Sequence, residues 1–262
     1  MTAVSGQQKP PTLDGPVAKV RRANFHYTEV VEAWDKLARS YYTRPDAYTV
    51  EIRDNGCKHV YRAGPHFPSI DPDWGLVLGD AIHNLRSALD HLAWQLVIAN
   101  GGTPHDGMGG TQFPVVEKPK QIAISGGIDA QALQIIDDVQ PYHGTSDGQN
   151  LLLLNKLDIM DKHHFAIVTA MVAGNWGRVV DPRFPTIIEK GRPNPTVGVK
   201  AGDEAAWFVY ATPLNNPDPN LNLLPDVSFV EGPLAGESFL EIGELLRWVQ
   251  ALFRRFARFF PT

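Results

Sequence analysis

The stretch GDAIHNLRSALDHLAWQL, residues 79–96, carries two faces at helical spacing. At about 100° per residue, Ile82, Leu85, Leu89, Leu92 and Leu96 line one side, continuing Leu78, while His83, Asn84, Arg86, Ser87, Asp90 and His91 cover the other. Asp71-Pro72 supplies a cap and first turn, and Gly101-Gly102 with Pro104 ends the segment, so the spacing predicts a helix from about Trp74 to Asn100. A solvated helical face is normally filled by Lys and Glu. Neither residue occurs between Lys58 and Glu117. A face of short, titratable, hydrogen-bonding groups suits a buried polar network, a dimer contact or a site.

Outward from this helix, Val20, Tyr27, Trp34 and Tyr41 recur every seven residues, with Ala23, Val30 and Leu37 between them, which predicts a first helix from Pro16 over six turns. Tyr48, Val50 and Ile52 alternate with polar residues, Asn55-Gly56 supplies a tight turn, and Lys58 to Arg62 return: a β-hairpin within 46–63. A third helix is expected over about 127–139 and a fourth from Gly148 to Ala173, with Leu153, Leu157, Met160, Ile167 and Met171 on one side. From 175 to 236 prolines and asparagines cluster, and the apolar runs Thr196–Lys200, Ala205–Ala211 and Val227–Glu231 predict a small antiparallel sheet. A last helix is expected from Ser238, with Ser238 and Glu241 as a capping box.

These elements predict an α+β chain: a disordered lead over 1–15, then one domain over 16–262. It comprises a bundle of four to five helices (16–174 and 237–262), the inserted hairpin and the small β region at 175–236. The 262 residues, 43% hydrophobic and 20% charged, suffice for one large core or two small ones. Lys+Arg 24 against Asp+Glu 29 gives a net charge of -5, which argues against dedicated DNA binding. Cys57 stands alone, so neither an internal disulfide nor a thiolate metal cage is available, and a reducing cytoplasm is the expected setting. No signal peptide and no membrane span are expected.

A second polar cluster, LLLLNKLDIMDKHHF at 151–165, places Asn155, Asp158 and Lys162 on one stripe and crowds Asp161, Lys162 and His163 into one turn. It suits a phosphate clamp or a structural ion-pair network with Asp90 or Arg86, the network being the more common use. His83 and His91 lack the i, i+4 spacing of paired metal ligands. A metal site could still form across two helices from either of them with Asp90, Asp158, Asp161 or His163. The glycines of His105–Gln112 lack a phosphate-loop ending, and no Gly-x-Ser-x-Gly elbow exists. Arg247, Arg254, Arg255 and Arg258 among Trp248, Phe253, Phe256, Phe259 and Phe260 could address an anionic membrane or RNA, but the spacing of Ile242 to Phe259 is first that of a bundle helix.

WGLVLGDAIHNLRSALDHLAWQL, FPV at 113–115, QPY at 140–142 and LNKLDIMDKHH together resemble a family of uncharacterised bacterial proteins of actinobacterial type. The resemblance spans most of the chain and brings no activity with it. Within it, Arg86-Ser-Ala-Leu-Asp-His91 is similar to the Arg-x4-6-His motif of HEPN domains, whose active members are metal-independent endoribonucleases working as dimers. That similarity implies a cofactor-free homodimer acting on RNA, with Arg86 on the scissile phosphate and His91 as acid or base. Ser87 stands where such enzymes carry Asn, Asp or His, and about 140° separates Arg86 from His91 on an ideal helix. A non-enzymatic binding or assembly protein, with the polar face as a structural network, stands beside this reading, and a metal-binding bundle enzyme is a third.

Overall fold

The computed structural model describes residues 10–42, 44–107, 109–163, 169–178, 183–218 and 221–261. The fold is α+β, with five α-helices and antiparallel β-structure among the described residues. By contacts the chain divides into two compact units, each discontinuous in sequence.

The helical unit comprises Met1–His26, Gly79–His163 and Ile242–Thr262. Its helices are the first part of α1 (Asp14–Tyr42), most of α2 (Asp73–Ala99), α3 (Ala130–Asp138), α4 (Ser146–His163) and α5 (Glu241–Phe256). α1 begins two residues before Pro16, and Thr12 donates its backbone N–H to Gln95 Oε1 at 3.0 Å, so order reaches into the expected lead. α2 is central: Ala81, Ile82, Leu85, Leu89, Leu92 and Leu96 are buried, and so are Ala88 and Ala93 toward the other flank. α3 is capped by Asp129, whose carboxylate accepts from the N–H groups of Gln131 and Ala132.

Two expectations for α4 are corrected. It ends at His163 rather than near Ala173, because Thr169–Arg178 is strand β3. Its buried stripe is Leu151, Leu154, Leu157 and Asp158; of the expected side Leu157 is buried, Leu153 and Met160 are half-buried, and the side chains of Ile167 and Met171 lie outside the described residues. Four consecutive leucines at 151–154 fit either phase, and tertiary packing selects one.

The sheet unit comprises Tyr27–Leu78 and His164–Glu241. β1 (Tyr48–Arg53) and β2 (Lys58–Ala63) form the expected hairpin, and Asp54, Asn55 and Gly56 all adopt positive φ. At Gly56 a Cβ would also lie 2.8 Å from the Asn215 side chain, so the turn needs glycine twice over. β5 (Glu204–Tyr210) pairs with β2, and β4 (Ile187–Gly191) with β5, giving one antiparallel sheet in the order β1-β2-β5-β4. β3 pairs with β6 (Leu221–Phe229) as a separate two-stranded ribbon. Thr196–Lys200 is no strand: Asn194 caps a turn there, its side chain accepting from the Thr196 N–H and its carbonyl from Val197. The sheet core is Tyr61, Ala206, Phe208, Tyr210 and Leu223. Trp34 of α1 donates from Nε1 to the Pro225 carbonyl at 3.0 Å and meets the Phe239 ring edge-on. Ser238 does not open α5. Its hydroxyl bonds the Asp226 carboxylate, and the helix starts at Glu241.

Candidate functional site

Arg86 lies on α2 with its side chain 9% exposed. Its Nη1 donates to Asp90 Oδ1 at 2.8 Å, its Nη2 to the Phe113 carbonyl at 3.0 Å, and its Nε to Asn155 Oδ1 of α4 at 3.3 Å. Asp90 accepts in turn from the Phe113 N–H at 2.9 Å. The pair Arg86–Asp90, one helical turn apart, thus grips both backbone groups of Phe113 as a neighbouring strand would. Gln140, wholly buried, does the same farther along: Oε1 accepts from the Val116 N–H at 2.9 Å, and Nε2 donates to the carbonyls of Pro114 at 3.1 Å and Ile136 at 2.8 Å. The segment FPVV, 113–116, is therefore an extended piece whose ladder partners are side chains. Phe113 and Val116 are buried beneath it.

A second group joins α2 and α4 nearer the start of α2. Asp158, 5% exposed at its side chain, accepts from Lys162 Nζ at 2.6 Å and lies 3.1 Å from His83 Nδ1. Asp161 lies against Gly79, where a Cβ would come within 2.2 Å of its Oδ1, so glycine is what lets the carboxylate reach the α2 backbone. Burial, with Asp158 and Asp80 nearby, holds the Asp161 carboxyl above its ordinary range, while His83 and Lys162 oppose the shift. A raised folded value disfavours the ionised form, so the cost exists above that value and vanishes as pH falls through it. Asp161→Asn is accordingly expected to raise Tm at pH 7 by about 1–2 °C, the size of a half-screened charge effect, and the gain should disappear below pH ~4 in thermal melts. Asn84 donates to the Asp80 carbonyl of its own helix at 2.8 Å, and the side chain of His163 lies outside the described residues.

His91 faces elsewhere. It is exposed at the rim of a cleft of about 550 Å³ whose lining includes Ser87, Asp90, Trp94, His105, Asp106 and Gln112. Its ring rests on the first turn of α1, where a Cβ on Gly15 would stand 3.8 Å from Nδ1. Partial burial pushes its imidazole below the ordinary value, Lys19 adds to the shift, and Asp90 opposes it. The shift favours the neutral imidazole, the form that can accept a proton. Arg86 opens instead on a second cleft of about 440 Å³, lined also by Phe113, Pro114, Ser125 and Asn155; Gly110 and Gln112 border both. Neither of these two clefts is lined by both Arg86 and His91.

No group of three or more His, Cys, Asp or Glu that could hold a metal ion occurs among the described residues. No described helix is long and apolar enough to cross a membrane. Known proteins offer no guide here. No family model matches the chain, and no curated protein or solved structure is detectably similar to it.

The structure joins Arg86, Asp90 and Asn155 in one network and His83, Asp158, Asp161 and Lys162 in another, and leaves Ser87 and His91 on the cleft wall. Sequence reasoning passed over Gln140 and Phe113, which complete the first network. The signal was present in the FPV and QPY segments, each short, apolar or proline-marked, and neither within a helix that the sequence predicts.

Proposed function

We propose that this protein is a binding protein whose polar α2–α4 face is scaffold, and that the ligand site is the cleft at His91. The observation that carries this reading is the commitment of the Arg86 guanidinium. All three of its nitrogens donate to groups of the chain itself, so the fork that would grip a phosphate holds the Phe113 loop instead. By fixing 113–116, the network sets the far wall of the His91 cleft at Thr111 and Gln112. Trp94 and His105 offer that cleft ring surfaces, while Ser87 and Gln112 offer hydrogen-bonding groups. The ligand this suits is small, polar and unsaturated.

One observation favours the HEPN-like reading, an RNA-acting cytoplasmic homodimer: an exposed His91 in a cleft, its neutral form favoured by its surroundings, suits a general base. The two readings part on one experiment. The purified protein is incubated with structured and unstructured RNA in EDTA, beside His91→Ala and Arg86→Lys. The binding reading expects no cleavage above the level of His91→Ala. Metal-independent cleavage lost in both variants, with Tm of His91→Ala unchanged, would replace it by the nuclease reading.

A further inference from the structure

Away from the His91 cleft, a groove of about 500 Å³ runs between the first three turns of α1 and the end of α5. Leu13, Val17 and Val20 form one wall and Phe253 and Ala257 the other. Val17 is 47% exposed, an unusual state for a valine inside a helical stripe. Each wall carries one arginine, Arg21 on α1 and Arg254 on α5, and neither makes a hydrogen bond, ion pair or ring contact among the described residues. Every other arginine with a described side chain is engaged within the chain, most by a carboxylate, a carbonyl oxygen or an aromatic ring. Asn24 and Gln250, at the same rim, are likewise without partners among the described residues.

We infer that this groove receives an acidic amphipathic helix from a protein partner. Leu13, Val17, Val20 and Asn24 lie at i, i+4, i+7 and i+11, a stripe of about three turns or ~16 Å, which matches the length over which a docked helix sets its anchors. The apolar floor takes leucine-type anchors. The two uncommitted guanidinium groups, one on each wall, take carboxylates flanking that apolar stripe. The sign is selective: the chain as a whole carries net charge -5, so its overall field does not attract an acidic helix and the attraction is local to these two guanidinium groups. A concave channel between two helices admits a helix, whereas a lipid surface needs a convex or flat apolar face.

The test is fluorescence anisotropy with a fluorescein-labelled helical peptide of about four turns, Leu at i, i+3, i+4 and i+7 and Glu elsewhere. Saturable binding is expected, weakened about tenfold or more by joint Arg21→Glu and Arg254→Glu, weakened by Val17→Glu, reduced by salt, and unchanged in His91→Ala. A peptide with Lys for Glu should not bind. All the substituted groove residues are exposed, and each variant is expected to keep the wild-type circular dichroism spectrum. Absence of saturable binding, or equal binding to the charge-reversed variant, overturns the proposal. So does preferential binding to phosphatidylglycerol vesicles, or a sedimenting dimer that Val17→Glu dissociates, since either outcome gives the groove another occupant.

Discussion

Replacing Arg86 with Ala is expected to destabilise the helical unit by about 3 kcal/mol, lowering Tm by roughly 6–12 °C. The loss comes from the groups left behind. The Phe113 carbonyl and Asn155 Oδ1 lose their donors, and Asp90, 32% exposed, keeps a charge without its counterion. Removing one member of a mostly buried pair is far costlier than the pair is worth, which is why the effect exceeds that of any surface ion pair in this chain. Arg86→Lys should fall between, because an ammonium can reach Asp90 but cannot serve three acceptors in one plane. Calorimetry gives the magnitude, and limited proteolysis within 103–127 gives the place: the loop should be cut faster in Arg86→Ala. A Tm within 2 °C of wild type would show that the guanidinium is not what holds the loop.

Gln140→Ala is expected to cost about 2–4 kcal/mol, from three backbone groups left without partners inside the core. Gln140→Glu separates hydrogen bonding from volume. A carboxylate can still accept from Val116, yet it sets negative charge against the carbonyls of Pro114 and Ile136 in a wholly buried place. Its pKa must rise on folding, so the cost is present above the folded value and shrinks as pH falls through it. Urea melts should therefore show a larger deficit for Gln140→Glu at pH 8 than at pH 5. A pH-independent deficit would mean the buried amide acts through packing alone.

Much of the architecture was legible because it rests on local chemistry. The α2 periodicity, the Asp71 cap and the Asn55-Gly56 turn each express a preference decided within a few residues, and each holds. What was not legible was decided at long range. Apolar residues of 169–173 read as continued helix, but pairing with 225–229 makes them strand. The hairpin was visible, while its incorporation beside β5 depended on a partner far along the chain. The polar face of α2 stood out by its lack of Lys and Glu, but the division of that face was not visible. Arg86 points to a loop and His91 to a cleft, and only the path of residues 105–125 separates them.

The discontinuity of the helical unit bears on how the chain is made. Synthesis delivers Met1–His26, then Gly79–His163, and last Ile242–Thr262. The apolar stripe of α5, Ile242, Leu245, Val249, Leu252 and Phe256, is buried in the folded chain and emerges after the other two segments of its unit. Until it emerges, the helical unit lacks one of its three segments, for several seconds at ordinary elongation rates. A nascent chain stalled before Ile242 would carry an incomplete helical unit, which makes α5 the segment that completes it and the preceding interval one in which chaperones matter.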